Sequence, residues 1–249
     1  MQEAYVNTEK SKEGLATITF FHPKHNSLPS DILKKLAAAI TEAGKDDDVK
    51  VIVLKSGGER TFCAGASFDE LVAIDELKTG KEFFMGFARV INACRKCPKF
   101  IIGRVQGKAV GGGVGVASAV DYCLATKFAS IKLSELNLGL GPFVVGPAVE
   151  RKIGLSAFSQ MTIHADEFMP AEWAKQKGLY AEVFDTAEEL DAEVDKLAQY
   201  LLSKNPEAQK LLKEVFWQNA DDWDQLLEKR AELSGKLVLS DYTKKMLKE

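Results

Sequence analysis

Histidine and cysteine are scarce in this chain of 249 residues, which holds three histidines (His22, His25, His164) and four cysteines (Cys63, Cys94, Cys97, Cys123). Cys94-Arg95-Lys96-Cys97 has the form C-x-x-C, yet no second ligand pair stands at zinc spacing and the histidines lie far from it in sequence. No metal or redox centre is therefore expected. Two reduced thiols near the end of a helix, ahead of a buried strand, is the plainer reading. An excess of one charge is also missing. The 33 basic and 36 acidic residues leave a net charge of -3, with no basic footprint for nucleic acid and no polybasic anchor for a membrane. Long apolar runs are absent: Val49–Leu54 and Phe143–Val145 are short, and neither approaches a membrane span. Met1–Lys12 is polar, with no apolar segment of signal-peptide type after it, so a cytoplasmic protein is expected.

What is present reads as an α/β protein able to bury a substantial core, being 46% hydrophobic and 28% charged. Leu15–Phe21 is β-branched and partly alternating, and so predicts a strand. After the loop His22–Pro29, Ser30 stands where an N-cap belongs. Ile32, Leu33, Leu36, Ala37 and Ile40 then recur at helical spacing, and Gly44 ends that helix. Val49–Leu54 reads as a strand covered on both faces, and Ser56–Ala66 as a loop. Phe68–Cys97 reads as helix in two pieces, and Phe100–Val105 as a second buried strand. Short strands are expected at Tyr122–Ala125 and Ser130–Lys132, and one strand-like piece at Tyr180–Phe184 in an otherwise helical second half. This alternation predicts parallel β-α-β units with right-handed crossovers. Residues 1–200 form the expected core. Residues 201–249 are a helical region of the same domain that either caps the core or packs on a neighbouring subunit.

Gly107–Gly115 holds five glycines in nine residues. A dinucleotide fingerprint needs G-x-G-x-x-G or -A, but the sixth position is Ser118 counted from Gly113 and Val116 counted from Gly111. A phosphate loop fails as well, because no Lys-Ser or Lys-Thr follows the glycines. Tight packing of a helix start on a sheet explains Gly111 and Gly113 equally well.

Three pieces taken in order are more specific: Phe62-Cys63-Ala64-Gly65-Ala66, Gly107-Lys108-Ala109-Val110-Gly111-Gly112-Gly113, and Ser134-Glu135-Leu136-Asn137-Leu138-Gly139. Together with Asn26-Ser27-Leu28 they resemble the crotonase superfamily, the enoyl-CoA hydratase/isomerase family, over about Thr17 to Pro206. The resemblance implies a ClpP-like spiral of β-β-α units with a helical C-terminal trimerisation region, hence a homotrimer or hexamer. It implies an acyl-CoA thioester as substrate, coenzyme A being part of that substrate and no separate cofactor being needed. It maps the two oxyanion donors to the amides of Ala66 and Gly112, and the acid/base to Glu135. Leu133, Leu136 and Leu138 flank that glutamate, so partial burial is expected to raise its pKa toward neutrality. Ala64, Gly65, Gly115, Pro142 and Phe143 are expected to line the substrate site, with Lys24 meeting the phosphates and Lys244 and Lys245 as weaker alternatives.

Two departures stand out. Two-glutamate hydratases of the family carry a second carboxylate where this chain has Gly115, which is expected to leave space for water or an acyl branch. The C-terminus lacks the Phe-x-x-Lys-Arg segment that closes over CoA in many members. The wording around Gly111–Gly115 and Ser134–Pro142 also looks like methylglutaconyl-CoA hydratase-like members, which favours a hydratase, with a branched 2-enoyl-CoA as a possible substrate. An enoyl-CoA isomerase and a non-catalytic acyl-CoA-binding relative are the alternatives.

Overall fold

β-Branched runs make the frame of the protein, whose computed structural model describes residues 3–248. Strand β1 (Tyr5–Lys10) pairs antiparallel with β2 (Leu15–Phe21). From β2 the main sheet continues in parallel through β4 (Val51–Ser56), β7 (Phe100–Val105), β9 (Tyr122–Thr126) and β11 (Glu182–Phe184). A second parallel sheet holds β5 (Thr61–Cys63), β8 (Lys108–Val110) and β10 (Ile131–Lys132). Two short strands, β3 (Ser27–Leu28) and β6 (Gly65–Ala66), pair beside it. Successive turns of chain place one strand in the large sheet and the next in a small one, and a helix then returns to the start. This is the spiral of β-β-α units that the sequence led us to expect.

The returning helices are α1 (Ser30–Lys45), α2 (Phe68–Ala73), α3 (Leu77–Lys96), α4 (Gly112–Ala119) and α5 (Gly146–Ile163). They bury one face of the main sheet with Ile52, Leu54, Ile91 and Val105 in a single cluster. After α6 (Ala171–Gln176), helix α7 (Ala187–Leu202) covers the opposite face, where Leu190 and Val194 meet Val51, Val53 and Ile102. A strand covered on both sides has no solvent face to mark with polar residues, which is why β4 reads as a continuous apolar run.

The C-terminal helices α8 (Pro206–Phe216), α9 (Trp223–Leu237) and α10 (Asp241–Met246) fold back on their own chain. Lys213 of α8 forms a buried ion pair with Asp121 at 2.8 Å, and Trp217 Nε1 donates to the same carboxylate at 3.1 Å. Helix α9 lies along α3 so closely that a Cβ on Gly80 would stand 3.1 Å from Gly235 Cα. Helix α10 is tied to the core by Lys244 Nζ, which donates to the Ile74 carbonyl, and by Thr243 Oγ1, which donates to Gly139 O at 3.3 Å.

Three expectations need correcting. Ser30 is the first residue of α1 and Pro29 is its N-cap; the Ser30 amide and hydroxyl instead donate to the Glu70 carboxylate, the hydroxyl at 2.6 Å. Ser56–Ala66 is not a plain loop, because β5 and β6 lie within it. Gly44 lies inside α1, which runs on to Lys45.

Candidate active site

Local sequence sets up two chain reversals that meet at one cavity. At β6, Gly65 adopts φ +93°, a conformation that residues with a Cβ rarely take. A Cβ there would stand 3.1 Å from Val110 O and 3.7 Å from the Gly112 nitrogen, so β6 lies directly against the start of α4. Ser67 follows and caps α2, its Oγ accepting from the Glu70 amide at 3.4 Å. At the second reversal Gly111, at φ +51° and ψ -115°, turns the chain from β8 into α4. Gly112 is thus the first residue of α4, where helix N–H groups have no intrahelical acceptor and the positive dipole end lies. A Cβ on Gly112 would stand 2.2 Å from Phe87 Cζ, so the ring of Phe87 sits where any side chain at this position would go.

Glu135 arrives from a third segment, a single 3-10 turn at Glu135–Leu138. Its carboxylate lies over Gly111, with Oε1 3.0 Å from the place a Gly111 Cβ would occupy. The residue retains some solvent contact, but Oε2 is sealed and has no hydrogen-bond partner among the described residues. Burial disfavours the charged form and pushes this carboxyl up to about 7. The flanking leucines supply only part of that burial. Leu133 is buried and Leu138 lines the cavity, whereas Leu136 faces solvent.

The cavity these segments enclose has a volume of about 390 Å³. It brings together Ala66, Gly112 and Glu135. Lys24, Ala64, Gly65, Pro142 and Phe143 line it as well. Of the lining residues Lys24 is the one cation, and it pairs with Asp69 at the mouth, both side chains being largely exposed. Lys244 and Lys245 do not line it, and Lys244 is engaged by Ile74.

Gly115 is not among the lining residues. A Cβ there would stand 2.5 Å from Val145 Cγ1, so Val145, which does line the cavity, fills the place expected to be open. The expected space for a water or an acyl branch at Gly115 is therefore absent. Asp69 and Val145 are site residues that sequence reasoning missed. Asp69 is 45 residues from Lys24 and Val145 is 30 from Gly115, separations at which no local pattern betrays a contact. The thiols of Cys63, Cys94 and Cys123 are buried and pushed up to about 12 by desolvation. Among the described residues no group of His, Cys, Asp or Glu is placed to hold a metal.

The family described as enoyl-CoA hydratase/isomerase matches residues 10–247, nearly the whole chain. This chain belongs to that family. Among its relatives is the short-chain-enoyl-CoA hydratase of Clostridium acetobutylicum, 30% identical over 84% of this chain and 80% of that protein. The mitochondrial methylglutaconyl-CoA hydratase of Rattus norvegicus is 31% identical over 76% of this chain, which spans 60% of that relative's length. The trans-2-decenoyl-[acyl-carrier-protein] isomerase of Streptococcus mutans is 25% identical over 92% of this chain and 88% of that protein. A crystal structure of an enoyl-CoA hydratase from Bacillus halodurans shares the fold with a TM-score of 0.89, at 21% identity over 98% of this chain and 99% of that one. The protein is thus an enzyme of the hydratase/isomerase family with the crotonase fold, and no helix among the described residues is long and apolar enough to cross a membrane.

Proposed function

We propose that this enzyme moves a proton at the carbon next to the thioester of a short, uncharged enoyl-CoA, and that the net reaction is a shift of the double bond. The observation that carries this reading is that Glu135, held near pKa 7, is the one buried carboxyl among the described residues lining the cavity, while Gly115, where a second would stand, is packed against Val145. A 3-enoyl thioester loses a proton from C2 to Glu135, giving a dienolate, and the same carboxyl returns a proton to C4. One base is sufficient, and it must be able both to take and to return the proton, which a pKa near neutrality permits. The developing negative charge on the thioester oxygen is met by the amides of Ala66 and Gly112. Fixed donors of this kind are worth about 3–4 kcal/mol each in comparable sites.

An uncharged acyl group is supported by the lack of any cation deep in the cavity; Lys24 sits at the mouth and suits the phosphates of CoA. The branched, carboxylate-bearing acyl group of the methylglutaconyl type has neither the open notch nor a basic partner. Hydration is the second reading, favoured by the hydratases among the relatives. In it Glu135 accepts a proton from water as the oxygen adds at C3, and returns a proton to C2. Incubation with 3-hexenoyl-CoA and with crotonyl-CoA, followed by mass spectrometry, separates the two. Isomerisation of 3-hexenoyl-CoA gives the conjugated 2-enoyl ester at unchanged mass, told from the substrate by its chromatographic retention and absorbance, whereas hydration of crotonyl-CoA adds the mass of one water. Hydration as the dominant activity would refute the isomerase reading.

The exposed Leu211, Leu212, Val215 and Phe216 of α8 support assembly into a homotrimer or a pair of trimers. Four buried, unpaired cysteines are consistent with a reducing, cytoplasmic setting.

A further inference from the structure

Two cavities of the protein share the ring of Phe83 as a wall. On one side is the cavity that holds Glu135; on the other a cavity of about 380 Å³ opens to the surface between α2 and α3, with Ile74 in its floor and Glu70, Glu76, Lys78 and Glu82 around it. Phe83 is 6% exposed and packs with Leu71, Ile74 and Leu140, and with Val238 and Leu247 of the C-terminal segment. Phe84 meets it edge-on, ring centroids 5.1 Å apart at 87°. A ring enclosed on this many sides in a close-packed cluster holds its place.

We propose that Phe83 is the end wall of the acyl cavity, that it restricts the enzyme to short acyl chains, and that the space behind it is a latent second chamber for longer, neutral tails. This rests on the acyl-CoA reading above and adds the residue that sets chain length. The chamber's preference follows from its charges. The Glu70 carboxylate accepts hydrogen bonds from Ser30, Glu76 accepts from Thr79 Oγ1 at 3.0 Å, and Glu82 pairs with Arg89 at 2.6 Å. With Glu82 matched by Arg89, Glu70 and Glu76 stand against one lysine, Lys78, so a tail ending in its own carboxylate is disfavoured while a hydrocarbon tail meets the buried Ile74.

Calorimetric titration with saturated butyryl-, hexanoyl- and decanoyl-CoA tests the wall without turnover. Burying a methylene strengthens binding about fourfold, so an open channel gives an affinity that climbs with chain length, and a wall stops the climb. Wild type is expected to bind decanoyl-CoA no more tightly than hexanoyl-CoA. Phe83→Ala and the milder Phe83→Leu are expected to strengthen decanoyl-CoA binding about tenfold or more, with butyryl-CoA changed less than about twofold. Decanoyl-CoA carrying a terminal carboxylate should gain much less. Phe83→Leu retains an apolar side chain in the cluster, and a cooperative thermal transition is the check that it is folded. A wild-type affinity that climbs steadily to decanoyl-CoA would overturn the proposal, as would folded Phe83→Leu with an unchanged chain-length profile. Failure of wild type to bind any acyl-CoA would instead overturn the acyl-CoA reading itself.

Discussion

Replacing Glu135 by glutamine removes a titrating group while keeping its shape, and it acts on two quantities at once. Turnover is expected to fall to background, because among the described residues no other buried carboxyl lines the cavity to carry the proton. In the wild type kcat/KM should rise with pH through an apparent pKa of about 7, since the ionised form is the base. Stability should respond as well. The carboxyl titrates at about 7 in the folded protein against an ordinary glutamate value of 4.5, so the folded state binds the proton more tightly than the unfolded chain does. Its favourable contribution is complete below pH 4.5 and is lost as pH rises through 7. At 1.36 kcal/mol per pH unit the loss amounts to about 3 kcal/mol above neutrality. Glutamine has no such slope. Relative to wild type, Glu135→Gln should therefore be about 3 kcal/mol more stable at pH 8 and less than ~1 kcal/mol more stable at pH 5. For a chain of this size the difference at pH 8 corresponds to roughly 6–12 °C in Tm. Urea unfolding at the two pH values reads the difference, with enzyme assays on the same preparations. A gap between variant and wild type that is equal at pH 5 and pH 8 would refute the buried-carboxyl argument. Retained turnover would refute the catalytic assignment.

Other perturbations probe the rest of the site. Lys24 is held by Asp69 at the mouth, so Asp69→Asn should free it for phosphate and lower KM a few-fold, while Lys24→Ala should raise KM; kcat should hold in both, read from initial rates at low salt. Gly115→Ala places its Cβ 2.5 Å from Val145 Cγ1 and should cost about 1–3 kcal/mol by overpacking, much of it recovered in Gly115→Ala/Val145→Ala, as measured by denaturant unfolding. Light scattering should return three or six chains per particle, and Leu212→Glu/Phe216→Glu on the exposed face of α8 should lower that number if α8 lies in the contact.

Several features were legible because they depend on local stereochemistry. Strands β2 and β7 begin and end where their β-branched runs do, and α2 and α3 are the two pieces expected within Phe68–Cys97. The glycines at Gly65 and Gly111–Gly113 mark places where the backbone reverses or is approached too closely for a side chain, and such positions show in sequence because no other residue fits. Glu135 could be named as a candidate on a different ground, the resemblance of its motif as a whole to that of a family. Strand β1 went unread because it is polar enough to pass for a tail, and it becomes a strand only by pairing with β2. Strands β5 and β6 are two or three residues long, too short for any period to show. Ser30 followed the usual capping pattern, but Glu70, 40 residues away, competes for its amide and hydroxyl.

Sequence by itself determined where the chain reverses or is closely approached and which motif glutamate is the candidate, since glycines and such a motif are constrained by backbone geometry and chemistry that travel with the local chain. Tertiary structure alone decided what surrounds them. Val145 closes the space beside Gly115, Asp69 holds Lys24, Phe83 stands between two cavities, and burial raises the Glu135 pKa. Each of these is a contact between segments far apart in the chain, set by how the spiral stacks its turns, and no local pattern of residues encodes that stacking.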